Sequence, residues 1–208
     1  MQRGRFITFE GGEGAGKTTQ ARLLVERLRA AGLDVVQTRE PGGSPGAEEI
    51  RNIAVSGEAD RWSARTETLL MYAARSDHLE RTIRPALEAG RWVVCDRFAD
   101  SSRVYQGAGG GAPESLIEAL DAAVVDRDQP DLTLVFDLPV DVGLERAFGR
   151  GLFETRFESK GMTFHQKLRE GFLEVAQRHP DRCVVIDATG GVDEVSERLW
   201  TVVEARLL

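Results

Sequence analysis

Apolar residues in this chain gather into short, nearly unbroken runs, separated by stretches in which they recur every three to four positions. The runs are "RFITFE" (5–10), "DVVQTRE" (34–40), "RWVVCD" (91–96), "LTLVFDL" (132–138) and "CVVIDA" (183–188). Their length and β-branched content predict strands, and the helical spacing elsewhere predicts helices over 17–31, 46–56, 63–89, 113–127, 140–148, 162–178 and 192–207. A strand that is apolar at successive positions has no solvent face. The pattern therefore predicts an α/β fold, a five-stranded parallel sheet with helices on both faces. The glycine-rich stretch "QGAGGGAP" (106–113) reads as a flexible loop, and the 208 residues read as one domain.

In such folds ligands collect beyond the carboxyl ends of the strands. After the first strand comes "EGGEGAGKTT" (10–19), where Gly11, four residues, Gly16, Lys17 and Thr18 match the spacing G-x-x-x-x-G-K-[ST] in its required strand, turn, helix setting. Glycines let the backbone curl around an anion, so that several N–H groups point inward at the positive end of the helix. Gly11, Gly12, Glu13, Gly14, Ala15, Gly16, Lys17, Thr18 and Thr19 thus form a candidate cradle for a nucleoside triphosphate. Lys17 supplies a point charge for the β and γ phosphates, and the Thr18 hydroxyl suits a magnesium ion. Glu13 is unexpected there, because a carboxylate repels a triphosphate. It reads either as a solvated loop acid or as an acceptor for a hydroxyl, such as a sugar 3′-OH.

After the second strand, "TREPGGSPG" (38–46) makes a rigid turn bearing Arg39 and Glu40. After the third, "CDRFADSSRVYQG" (95–107) offers Asp96 as a magnesium carboxylate and Arg97 as a fork for a phosphate, although such a pair can also be a local ion pair. The segment "LERAFGRGLFETRFESKG" (144–161) sets Arg146, Arg150, Arg156 and Lys160 among glycines. It reads as a solvated basic face or as a short lid over about 146–161. The lid reading gains because Lys17 is the loop's single cation, and a transferring phosphoryl group needs more positive charge.

Charge and cysteine usage narrow the classes. With 27 basic and 34 acidic residues the formal net charge is −7, which argues against sequence-independent nucleic-acid binding. Cys95 and Cys183 lie far apart in apolar runs, which predicts buried thiols, and His78, His165 and His179 share no metal-ligand spacing with them. No apolar signal core opens the chain and no membrane-length apolar run occurs, so the expectation is a cytoplasmic protein.

Four motifs together, "EGGEGAGKTT", "TREPGG", "YAARSDH" and "DRFADSSRVYQG", resemble those of the thymidylate kinases, nucleoside monophosphate kinases of the P-loop class. The resemblance runs over nearly the full chain. It implies a three-layer P-loop NTPase fold, phosphorylation of dTMP to dTDP by ATP with Mg2+, and a homodimer. It implies roles for Lys17, Arg97 and Arg150 in transfer, Arg146 and Arg150 over ATP, Thr18 and Asp96 near magnesium, and Arg97 on the dTMP phosphate. Arg75 and Ser102 would lie at the base, Tyr105 where a ribose 2′-OH would have to fit, Glu13 near the 3′-OH, and Gln106 at the pocket wall. Glu40 and Pro41 join them on the substrate side. The phosphate loop holds no arginine, which resembles the lid-arginine type common in bacteria.

One position departs from the family. Four residues before its substrate arginine the family commonly has a phenylalanine that stacks on thymine, and here Met71 stands there. Met71 is read as a polarizable contact for the base, with Tyr72 able to compensate, or as core on the 63–89 helix. A kinase for another nucleoside monophosphate or small phosphate acceptor is the nearest alternative, and a P-loop regulatory switch a more distant one.

Overall fold

The computed structural model describes residues 3–58, 60–149 and 161–208. Strands β1 (Phe6–Gly11), β2 (Val35–Arg39), β3 (Trp92–Asp96), β4 (Leu132–Asp137) and β5 (Cys183–Asp187) form one sheet in the order β2-β3-β1-β4-β5. Every neighbouring pair is parallel. The helices are α1 (Lys17–Ala30), α2 (Pro45–Val55), α3 (Ala64–His78), α4 (Arg84–Glu88), α5 (Ala99–Ser102), α6 (Glu114–Leu120), α7 (Val140–Phe148), α8 (Met162–Arg178) and α9 (Val192–Leu207).

Central β1 is buried at every position, as a strand covered on both faces must be. Alternation sends its side chains to opposite layers. Ile7 and Phe9 join Leu132, Leu134 and Phe136 of β4 against Leu24 and Leu28 of α1 and Leu199 of α9. Phe6 packs on the other side with Val93, Tyr72, Ile83 and Phe98, its ring edge-on to Phe98 at 4.9 Å. That second face also carries polar groups. Thr8 is fully buried and shares a 2.9 Å hydrogen bond with Thr133, and Glu10, also fully buried, points to the same side.

Two expected elements differ in outline. The helix expected over 63–89 is continuous but loosens into wider turns at Leu79–Ile83 before α4. Pro85 is the reason, since it has no N–H to return to the preceding turn. The second difference is larger. The stretch 106–113, expected as a flexible loop, is helical as far as residue 109, because α5 continues through Arg103–Gly109. Its glycines serve close packing. A Cβ on Gly109 would lie 2.8 Å from the Phe164 ring and 2.9 Å from Leu168 of α8.

Candidate active site

The phosphate loop follows β1 and opens α1, whose first turn holds no acidic residue to compete for an anion. Gly14 has φ of 67°, and a Cβ there would run into the Gly143 carbonyl of α7, so only glycine lets the loop nestle against that helix. Lys17 is buried and donates from Nζ to the carbonyls of Gly11 at 3.1 Å and Gly12 at 2.7 Å. Burial and the neighbouring Arg97 charge push its ammonium down to about 8.

Arg97 joins this loop to the segment after β3. Its backbone sits in the left-handed region with φ of 71°, costly for a side-chain-bearing residue and characteristic of a functional turn. Nη1 donates to the Gly11 carbonyl at 3.1 Å and Ser101 Oγ at 3.4 Å, while Nη2 donates to Glu13 Oε1 at 3.0 Å. The Tyr105 hydroxyl donates to the same Glu13 oxygen at 2.6 Å, and the Arg97 guanidinium lies 4.9 Å from the Tyr105 ring centre. Burial works to raise the Glu13 carboxyl, but Arg97, Lys17 and the Tyr105 hydroxyl outweigh it and hold it at about 2. Glu13 is therefore an ionised, ordered anchor, not a solvated loop acid.

Beside Arg97, Asp96 Oδ2 accepts a 2.5 Å hydrogen bond from the Thr18 hydroxyl. The pair presents hard oxygen donors at the loop's mouth, which suits magnesium, an ion that keeps several waters and takes few protein ligands. No group of three or more His, Cys, Asp or Glu stands together as a metal cage among the described residues.

A second polar cluster lies behind these. Arg75, buried on α3, donates from Nε to Glu40 Oε2 at 2.8 Å and from Nη2 to the Phe98 carbonyl at 3.0 Å and Ser102 Oγ at 3.1 Å. Its Nη1 is buried with no hydrogen-bond partner among the described residues. Glu40 precedes a cis bond to Pro41 and also meets His78 Nδ1 at 3.0 Å, and His78 Nε2 lies 2.7 Å from the Thr38 hydroxyl. Gln106 Nε2 donates to the buried Glu67 at 3.0 Å. Met71 is buried in a cluster that includes Tyr105 and Phe172. Tyr72 is engaged elsewhere: its hydroxyl donates to Asp121 at 2.6 Å, and its buried ring lies 4.5 Å from the Arg75 guanidinium.

A cleft of about 750 Å³ runs along the carboxyl edge of the sheet and brings together Glu13, Gly14, Ala15, Gly16, Lys17, Thr18, Glu40, Asp96 and Arg97. Gly12 lines a smaller neighbouring cavity, while Arg75, Met71, Ser102, Tyr105 and Gln106 stand outside this cleft's lining, on α3 and on α5 with its continuation. Arg146 lies on α7, whose Ala147 borders the cleft. Arg150, Arg156 and Lys160 lie outside the described residues. Sequence reasoning missed Arg51, which lines the cleft and donates to the Pro41 carbonyl at 2.8 Å, and the buried Glu67. Neither stands near a recognisable motif. Only the fold carries them inward.

Residues 9–199 match the family model described as thymidylate kinase. The thymidylate kinase of Caulobacter vibrioides is 62% identical over 207 residues, covering 100% of this chain and 99% of that protein. That of Ruegeria pomeroyi is 54% identical and covers 98% of this chain and 96% of the relative. The crystal structure of thymidylate kinase from Ehrlichia chaffeensis superposes with a TM-score of 0.79 at 34% identity, covering 97% of this chain and 99% of the other. The sheet order, the phosphate loop and the doubly covered core agree with the three-layer P-loop NTPase fold of that neighbour. From the strands to the arginine cluster, this chain belongs to the thymidylate kinase family.

Proposed function

We propose that this chain transfers the γ-phosphoryl group of ATP to the phosphate of dTMP, giving dTDP and ADP on the way to dTTP. The observation that carries the reading is Arg97, which is tied to the phosphate loop through Gly11 and to Glu13, and so holds a phosphate-matching guanidinium beside a triphosphate cradle. An acceptor phosphate is already anionic. It needs no general base, so the chain's work is alignment and charge stabilisation. In this reading the loop N–H groups from Gly11 to Thr19 and Lys17 hold the ATP phosphates, Arg97 orients the acceptor phosphate, and Arg146 and Arg150 bring charge from a lid over 146–161 of this single domain. Thr18 and Asp96 would hold magnesium, which when bound neutralises and orients the β and γ phosphates. Arg75 Nη1, buried and without a partner among the described residues, would donate to a thymine carbonyl, with Ser102 beside it and Met71 on the same helix. Glu40 keeps Arg75 in place, Pro41 shapes the turn, Tyr105 crowds the sugar at C2′, Glu13 faces the 3′-OH, and Gln106 braces the pocket through Glu67.

Two finer expectations remain, a homodimer, implied by the family, and a cytoplasmic location, read from the sequence. Exposed Ile53 on α2 and Leu69 on α3 support an apolar subunit contact, and no helix among the described residues is long and apolar enough to cross a membrane. Sedimentation should give the mass of two chains.

ADP release with ATP and a panel of nucleoside monophosphates tests the activity. dTMP should lead, chelation should stop turnover, and added magnesium should restore it. A better acceptor than dTMP would point to a different monophosphate kinase, and slow hydrolysis indifferent to every acceptor would point to a switch.

A further inference from the structure

Glu10 closes β1 immediately before the phosphate loop and is fully buried. A carboxylate in such a place is costly unless its oxygens are satisfied. Its three hydrogen bonds among the described residues all come from the segment after β3. Oε1 accepts from the backbone N–H of Phe98 at 2.8 Å and of Ser101 at 3.1 Å, and Oε2 accepts from the Ser101 hydroxyl at 2.6 Å. That hydroxyl also lies 3.4 Å from Arg97 Nη1 and accepts there while its own proton is given to Glu10. The same Nη1 donates to the carbonyl of Gly11, the next residue along β1. Consecutive residues of one strand thus hold Arg97, Gly11 directly and Glu10 through Ser101.

We infer that Glu10 is a positioning residue that locks Arg97 and the head of the helical segment 99–109 onto the strand bearing the phosphate loop. Donor cradle and acceptor arginine then share one rigid mount. A carboxylate is required because the position must accept two N–H groups and one O–H at once. Glutamine would present an N–H₂ where Ser101 gives its proton, so that hydroxyl must turn its proton elsewhere and the seat it offers Arg97 is disturbed. Asp100 cannot take over, since both its oxygens are held by Arg182 at 2.6 and 2.9 Å. The inference rests on the proposed assignment of Arg97 to the acceptor phosphate.

The test is steady-state kinetics of the full chain with magnesium ATP and dTMP at pH 8.5, where Glu10 is a carboxylate, comparing wild type with Glu10→Gln, Ser101→Ala and the double variant. Displacing Arg97 should raise the dTMP KM about tenfold in Glu10→Gln and lower kcat, with the ATP KM unchanged, because misplaced positioning groups act on the ligand they face. Ser101→Ala should move the dTMP KM the same way by a smaller factor. The double variant should be no worse than Glu10→Gln, since both changes act through one hydroxyl. If both single variants melt lower yet keep the dTMP KM within twofold of wild type, Glu10 serves only the fold and the inference is wrong. Should Glu10→Gln fail to fold, Ser101→Ala keeps the two backbone bonds and decides alone by the same criterion. A wild type that prefers another phosphate acceptor would refute the dTMP assignment instead, and the same comparison run with that acceptor would still judge Glu10.

Discussion

Two carboxylates near the phosphate loop, Glu10 and Glu13, are pushed in opposite directions by their surroundings. Glu13 meets Arg97 and Lys17 and is held at about 2, whereas burial and the Asp100 charge, only partly offset by Ser101 and Arg97, push Glu10 up to about 7. A glutamate in the unfolded chain titrates near 4.5, so between that value and about 7 the folded protein holds the extra proton on Glu10. Its contribution to stability therefore falls as pH rises through that window and is level above it. Glu10→Gln does not titrate, so its melting temperature relative to wild type should climb from pH 5 to pH 7.5, superimposed on a constant offset from altered hydrogen bonds. A pH-independent difference would show that Glu10 titrates normally. Tyr105 offers a cleaner division of labour between ring and hydroxyl. Tyr105→Phe keeps the ring and should preserve preference for dTMP over ribothymidine monophosphate, while Tyr105→Ala should reduce that preference roughly tenfold, about 1.4 kcal/mol. Equal preferences in wild type and Tyr105→Ala would remove the ring from sugar selection.

The helical segment 99–109 carries Ser102, Tyr105 and Gln106, and it was the element least visible in the amino-acid order. Glycines at 107 and 109–111 imitate a loop, since local propensity weighs against helix wherever glycine repeats. Tertiary contact reverses the preference: the backbone at Gly109 must approach Phe164 and Leu168, and Gly171 on α8 lets Val104 approach in turn. Gly109→Leu should thus destabilise the protein by about 1–3 kcal/mol through overpacking, measurable as a lower urea midpoint at unchanged slope. Wild-type stability in that variant would mean the segment 99–109 and α8 are not held this closely. By contrast, α1 and the five strands were readable because burial on both sides of a parallel sheet writes unbroken apolar runs.

Acting together, the layers place the phosphate loop, the Asp96-Arg97 pair and α7 around one cleft. During transfer, charge spreads over the equatorial oxygens of the γ-phosphoryl group, so a lid guanidinium stabilises the transition state more than either ground state. Arg150→Ala should lower kcat by roughly a hundredfold with little change in the dTMP KM, and Arg150→Lys should recover only part of it. Arg146→Ala and Arg156→Ala serve as comparisons. Loss of kcat in one of them, with Arg150→Ala unaffected, would move the role along the lid; normal turnover in all three would end it.

Amino-acid order alone was enough for the five strands, the glycine-rich loop before Lys17 and Thr18, and the acid-arginine pair after β3, because each rests on local spacing or on burial of a continuous run. It offered no means of seeing that Glu13 is shared by Arg97 and Tyr105, that Tyr72 is turned away to Asp121, that Arg51 lines the cleft, or that Glu67 is buried against Gln106. Those facts depend on side chains separated by tens of residues meeting in a low-dielectric interior. There a hydrogen-bond partner, not a residue's own chemistry, decides its charge and direction.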